Sequence, residues 1–326
     1  MQLALKILIG LVLLVAVIVI GLISYVNLSY PDVSRPPHLV SRTDSTSLAN
    51  GKYLFTNVSV CMDCHSKRDW TRWSAPIVPG TEGMGGELFG EDIGFPGNFY
   101  AKNITPYALE EWSNGDIYNA ICCGVDPDFN AFFPVMPYIA YGKMDIKDVT
   151  DIISYMRTLP SIRNDVPESE ANFPMNIIMK MIPRNAENPI KPDKSNIIEY
   201  GEYMTRIAGC ADCHTPMEKG QPIEGMEFAG GFEMKLPTGG VAVTANITPD
   251  LNTGIGRWTE EIFINQFKKY DVPVDQIRKV KKGEPNTYMP WKYYAGMDEY
   301  DLKAIYRYLS TLSPIENKVV HFIPEE

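Results

Sequence analysis

The chain has 326 residues, 45% hydrophobic and 21% charged, with a formal net charge of −10 and a pI near 5.0. That length leaves room for about two domains after an N-terminal segment. The acidic balance argues against a nucleic-acid partner, whose phosphates select a basic surface.

The first segment is apolar. Residues 7–23 are all apolar or glycine, and Lys6 is the one charged side chain before Asp32. Roughly 20 such residues cross a bilayer. The exit, Ser24-Tyr25-Val26-Asn27, has no small-x-small cleavage signal. An uncleaved transmembrane signal anchor over residues 1–27 is therefore expected rather than a cleaved signal peptide. Residues 28–46 hold Pro31, Arg35-Pro36-Pro37 and then a polar run, and they read as a tether.

Beyond it stands Cys61-Met62-Asp63-Cys64-His65, repeated 149 positions later as Cys210-Ala211-Asp212-Cys213-His214. C-x-x-C-H is the attachment pattern of c-type haem. Its two sulfurs bind the haem covalently and its histidine gives an imidazole to the iron. A zinc site needs four N/S ligands, yet no second C-x-x-C or H-x-x-H stands near either copy, and the chain has four histidines, His38, His65, His214 and His321. A dithiol redox site would call for a βαβ context, and none is present. Two covalently bound haem c groups are expected, on Cys61, Cys64 and His65 and on Cys210, Cys213 and His214. Covalent haem is attached outside the cytoplasmic membrane. The expected placement is therefore single-pass in the bacterial inner membrane, with the haem domains facing the periplasm.

The repeat extends past the pentapeptides. Met136-Pro137-Tyr138 answers to Met289-Pro290-Trp291, Tyr141 to Tyr294, Met144-Asp145 to Met297-Asp298, and Ile162 to Ile315, all 153 positions apart. Helical spacing of Val149, Ile152, Ile153, Met156 and Leu159, and of Leu302, Ile305, Tyr306, Leu309 and Leu312, predicts a closing helix in each half. Asp145 and Asp298 are the expected N-caps. Opening helices are expected around residues 48–58 and 197–207. Between haem motif and methionine each half carries Asn-Ile-Thr-Pro, at 103–106 and 246–249, within glycine-rich loops expected to cover the haem. Val241-Ala242-Val243-Thr244 reads as a strand. Ser113 and Thr259 are expected to cap the helix that follows each tryptophan.

Met136 and Met289 are the expected sixth ligands of the two irons. Each precedes a proline, at the same place in its repeat, and a thioether is a soft, neutral ligand that favours ferrous iron. Met144 and Met297 are expected to pack. His38 and His321 are the rival nitrogen donors and are expected at the surface. Cys122-Cys123 are read as buried free thiols, with a redox-active vicinal pair or pairing to another chain as alternatives; adjacent Cα atoms sit closer than a disulfide prefers. The second half is seven residues longer between tryptophan and methionine, and the extra length includes Arg278-Lys279-Val280-Lys281-Lys282. That basic run is either a solvated loop or a dock for an acidic redox partner. Residues 173–183 form an apolar interruption of a polar linker, expected to pack between the halves, with a docking or membrane-surface role as the alternative.

The paired haem motifs, Asn-Ile-Thr-Pro, Thr253-Gly254-Ile255-Gly256-Arg257-Trp258, Phe133-Pro134-Val135-Met136-Pro137-Tyr138 and Arg157-Thr158-Leu159-Pro160 resemble class I c-type cytochromes. More narrowly, residues 45–315 resemble the cytochrome c subunits of membrane-bound alcohol, aldehyde and sugar-acid dehydrogenases. Such subunits usually carry three haems; this chain has two motifs. The resemblance implies a mainly α fold with two tandem cytochrome c domains, at 47–162 and 195–326, joined by a linker at 163–194. It implies a carrier of single electrons from a periplasmic or membrane redox partner, such as a dehydrogenase subunit, to a downstream respiratory acceptor such as a terminal oxidase. No catalytic residue is assigned. The alternative is a dihaem peroxidase-like enzyme, which would need one open iron; the repeated Met-Pro motifs and the scarcity of histidine oppose it.

Overall fold

The computed structural model describes residues 2–325. Its first helix, Gln2–Ser29, has no buried residue. At 1.5 Å per residue its 28 residues reach about 42 Å, enough to cross a hydrocarbon core of about 30 Å. The proline-rich stretch after it is extended, and it is laced onto the body. Ser34 donates its N–H to Asn185, the Asn114 side chain donates to the Leu39 carbonyl, and Arg42 pairs with buried Asp151 at 3.1 Å.

The rest is mainly helical and built twice on one plan. The opening helix Ser45–Tyr53 packs on the closing helix Ile146–Met156, and Ile197–Ile207 packs on Glu299–Leu309. Glycine makes both crossings possible. A Cβ on Gly51 would lie 1.9 Å from the Asp151 carbonyl oxygen, and one on Gly201 would lie 2.0 Å from that of Ala304. Gly51 stands ten residues before its haem motif and Gly201 nine. The extra residue is absorbed by one π-helical turn, Leu54–Val58, the usual way a helix takes an insertion.

Asp145 caps its closing helix through the Lys147 N–H; Asp298 occupies the same position without a side-chain bond. Ser113 and Asp116 form a reciprocal capping box before Asn114–Cys122, and Thr259 caps Glu260–Lys268. Each half also folds a small antiparallel sheet, of which the sequence announces only the strand at Val241–Val243. Leu88–Phe89 pairs with Gly97–Tyr100, which pairs with Glu170–Ala171. Glu233–Lys235 pairs with Val241–Val243, which pairs with Phe322–Ile323. In each case the third strand comes from the chain that follows the closing helix.

One continuous apolar cluster runs through both halves, and polar groups are exchanged across it. Tyr203, from the second opening helix, donates to Asp148 at 2.7 Å on the first closing helix. Tyr53, from the first opening helix, donates to Asp301 at 2.6 Å on the second. Each hydroxyl also accepts the N–H of the cap aspartate, Asp145 or Asp298. Lys191 and Lys194 complete the two carboxylate clusters.

The apolar stretch 173–183 does not pack between the halves. Phe173 is 75% exposed, and Ile178 and Met181 are also exposed. The segment lies instead against the end of the N-terminal helix, where Lys180 donates to Asn27 at 2.6 Å. Its proline and turn residues place it outside the helix pairs that own the core.

Gly51→Ala and Gly201→Ala should each push a helix pair apart and cost about 1–3 kcal/mol or more, as overpacking does. Urea unfolding measures this; an unchanged midpoint would mean that the helices do not cross so closely.

Candidate functional site

Cys61–Cys64 and Cys210–His214 are single helical turns, each entered through a left-handed residue, Val60 and Gly209. One turn of helix puts both sulfurs of a pair and the following histidine on adjoining faces. All four cysteines are unpaired. Burial pushes the Cys61, Cys64 and Cys210 thiols up to about 12.

The histidines are held alike. His65 Nδ1 lies 2.7 Å from the Lys102 carbonyl oxygen, and His214 Nδ1 lies 2.7 Å from that of Ala245. A carbonyl can only accept, so Nδ1 carries the proton and Nε2 keeps its lone pair for a metal. Burial also lowers both imidazole pKa values, which favours the neutral, ligating form.

Lys102 and Ala245 are the residues just before the two Asn-Ile-Thr-Pro motifs. Those motifs do more than cover. Asn103 Oδ1 accepts from the N–H and hydroxyl of Thr105, while its Nδ2 donates to the Ile162 carbonyl at 2.9 Å. Asn246 repeats this with Thr248 and with Ile315, at 2.7 Å. The buried asparagine thus ties the histidine's acceptor strand to the chain that leaves the closing helix. A glycine completes the arrangement: Gly85 and Gly230 donate their N–H to the carbonyls of His65 and His214. A Cβ on either would collide with the acceptor strand at about 2.5 Å. The repetition of Asn-Ile-Thr-Pro was the available signal, but only the fold shows which atom it positions.

The two pentapeptides meet across the molecule. Tyr141 donates to the Ser59 carbonyl at 3.0 Å and Tyr294 to that of Ala208 at 2.5 Å, each two residues before a cysteine. Burial pushes the Tyr141 phenol well up, and sulfurs from both motifs, Cys61, Cys64 and Cys213, add to it. Tyr294 likewise feels Cys210, Cys213 and Asp63.

The surroundings differ between the halves. Asp63 is buried, with Oδ1 unpartnered and Oδ2 3.5 Å from Arg68. Burial raises its carboxyl to about 6 against the pull of Arg68. The second motif has no such arginine; Met217 stands at the corresponding position.

Met136 and Met289 are half-buried and pack on the same apolar cluster as Cys61 and Cys210, just ahead of the short helices Tyr138–Tyr141 and Trp291–Tyr294. Met144 and Met297 are fully buried packing residues, and His38 and His321 are both exposed, as expected of them. Cys122 and Cys123 are buried free thiols, and burial raises both pKa values.

The basic run at 278–282 is not a free loop. Trp73 donates its N–H to the Arg278 carbonyl and Val280 donates to Thr71, at 2.8 and 2.7 Å. Its backbone is a seam against the first half, although Lys279, Lys281 and Lys282 stay exposed.

The donor set suits covalent haem. Each site offers two unpaired thiols and an imidazole with its metal-binding nitrogen free. Among the described residues, no group of three or more His, Cys, Asp and Glu side chains is placed to hold a bare ion.

Asn103→Ala or Asn246→Ala should destabilise the fold by roughly 1–3 kcal/mol, because buried partners lose their bonds; thermal melts check this. Cys122 and Cys123 should resist alkylation in the native protein and both react after unfolding without reductant. Intact mass reads the outcome, and a requirement for reductant would contradict free thiols.

Residues 199–313 match the family described as Cytochrome c. Among curated proteins, the chain is 28% identical over 268 residues to a "Diheme cytochrome c-type" of Cereibacter sphaeroides, an alignment covering 78% of this chain and 83% of that one. It is 23% identical over 288 residues to the "Alcohol dehydrogenase (quinone), cytochrome c subunit" of Gluconacetobacter polyoxogenes, covering 83% of this chain and 57% of the relative. It is 26% identical over 242 residues to the "Fructose dehydrogenase cytochrome subunit" of Gluconobacter japonicus, covering 68% and 44%. The chain therefore spans about half the length of those two dehydrogenase subunits.

Proposed function

We propose that this chain, which carries a cytochrome c domain at residues 199–313, is a membrane-anchored electron carrier with two covalent haems. Cys61 and Cys64 hold one and Cys210 and Cys213 the other. His65 and His214 are the proximal ligands, and Met136 and Met289 the sixth. When bound, haem supplies an iron that cycles between ferric and ferrous states.

The observation that carries this reading is the identical setting of the two histidines, each Nδ1 on the carbonyl just before Asn-Ile-Thr-Pro. An acceptor there fixes the tautomer and the ring plane and raises the basicity of the ligating nitrogen. Two sites so alike fit two centres with the same task. The half-buried Met-Pro loops supply neutral sulfur donors, and a neutral donor favours the reduced iron. With histidine and methionine both bound, an iron held here would have no position open to a substrate. Single-electron, outer-sphere transfer follows, and peroxide chemistry does not.

The dehydrogenase subunits among the relatives support a dehydrogenase as electron donor and a respiratory carrier, quinone or terminal oxidase as acceptor. The apolar helix Gln2–Ser29 supports anchoring in the inner membrane with the body in the periplasm. Exposed Phe173, Ile178 and Met181 beside the helix end are suited to lie at the lipid surface.

The full chain extracted from membranes should have the mass of the polypeptide plus two haems. It should show low-spin iron with a far-red methionine–iron band and no peroxide turnover. Met136→Ala and Met289→Ala should each remove the band from one haem, lower that haem's potential and leave the other unchanged. A high-spin haem with peroxidase activity in the unsubstituted protein would overturn the proposal.

A further inference from the structure

The repeat is broken twice. From haem motif to Asn-Ile-Thr-Pro the first half is six residues longer; from there to the methionine the second half is ten residues longer. The two length differences meet in space. Residues 67–79 of the first half lie against residues 275–291 of the second, over the loop that carries Met289.

The contacts converge on that loop. Ser74 Oγ donates to the Met289 carbonyl at 2.5 Å and accepts the Trp291 N–H at 3.2 Å, so one hydroxyl straddles Met289-Pro290. Asn286 Oδ1 accepts the Ser74 N–H at 2.9 Å, and its Nδ2 donates to the Arg72 carbonyl at 3.1 Å. Arg68, 6% exposed, lies 4.5 Å from the ring of Trp70 and 5.6 Å from that of Tyr288, the residue before Met289. Ser74 is itself buried and held at φ 64, a left-handed conformation that a non-glycine residue keeps only where its surroundings over-determine it. The Met136 carbonyl accepts the Tyr138 N–H and the Met289 carbonyl the Trp291 N–H, each at 2.8 Å within its own half, but among the described residues no side chain of the other half reaches the Met136 carbonyl.

We propose that residues 67–79 are a clamp that seats the Met289 ligand loop, with Ser74 as the positioning residue, so that the first half helps to set the properties of the second iron. The proposal rests on Met289 being that iron's sixth ligand. Pro290 has no N–H to offer, and the backbone of its own half gives the Met289 carbonyl one bond, from the Trp291 N–H at 2.8 Å. Ser74 supplies one acceptor and one donor from outside. Without them the thioether leaves the iron more often and competes less well with added ligands.

The test uses the full chain with both haems attached, titrated with imidazole and followed in the far-red band and by potentiometry. Met289→Ala should let one haem bind imidazole readily. Ser74→Ala should raise imidazole affinity at that same haem roughly tenfold, the effect of losing one or two neutral hydrogen bonds. It should also lower that haem's potential and leave the other haem unchanged. Ser74→Gly, which removes the hydroxyl while favouring the left-handed backbone, should behave alike and guards against misfolding of the alanine variant. Added to Met289→Ala, either Ser74 change should do nothing further, since the two act through one ligand. A Met289→Ala protein that titrates like the parent would overturn the ligand assignment and the clamp with it. Should Met289→Ala open a haem while both Ser74 variants titrate like the parent, the clamp alone is wrong. A Ser74 effect that persists undiminished in the Met289→Ala background would place its action elsewhere and would also refute the clamp.

Discussion

Two buried carboxylates hold this molecule together. Asp148 and Asp301 sit in the first turns of the two closing helices, 3% and 1% exposed, and each takes a tyrosine hydroxyl from the opposite half. A hydrogen bond to a buried charge contributes more than a neutral one, roughly 1.5–3 kcal/mol, and losing it strands the charge. Each carboxylate thus combines a donor from its own half, Asn50 for Asp148 and Tyr200 for Asp301, with one from the other. The haem pentapeptides ride on the opening helices that carry these tyrosines, so the same exchange brings the two metal-binding segments together around Tyr141 and Tyr294.

Around that near-symmetric frame, the departures from symmetry are local and concentrated beside the sites. The π-helical turn at Leu54–Val58 absorbs a residue ahead of the first pentapeptide. Arg68 and Asp63 place a buried ion pair at the first site, with no counterpart at the second. The longer loops of each half close on one another over Met289. Two motifs with the same donor residues thus have different electrostatic and mechanical surroundings.

Much of this was legible along the chain. Helix limits followed from apolar spacing and from caps at Ser113, Asp145 and Thr259, because both signals are local. Asn-Ile-Thr-Pro was visible as a repeat, but its role was not, since the acting atom is the carbonyl before it and its partner lies about 35 residues away. The basic run at 278–282 looked like a loop because its side chains are charged. Its structural work is done by backbone N–H and C=O groups, which composition does not report. The apolar stretch 173–183 looked like interior, yet the core was already filled by the helix pairs, and it ended beside the N-terminal helix.

The sequence by itself determined the two C-x-x-C-H motifs, a helix apolar and long enough to cross a membrane, and the twofold plan. Covalent attachment needs particular residues at short fixed spacing, bilayer crossing needs a continuous apolar run, and a duplicated unit repeats its own pattern. Only the tertiary structure decided which carbonyl orients each histidine, which tyrosine serves which carboxylate, and that a loop of the first half holds the methionine of the second. Those outcomes depend on pairs of residues 31 to 248 positions apart, and no local pattern encodes a partner that folding alone brings into reach.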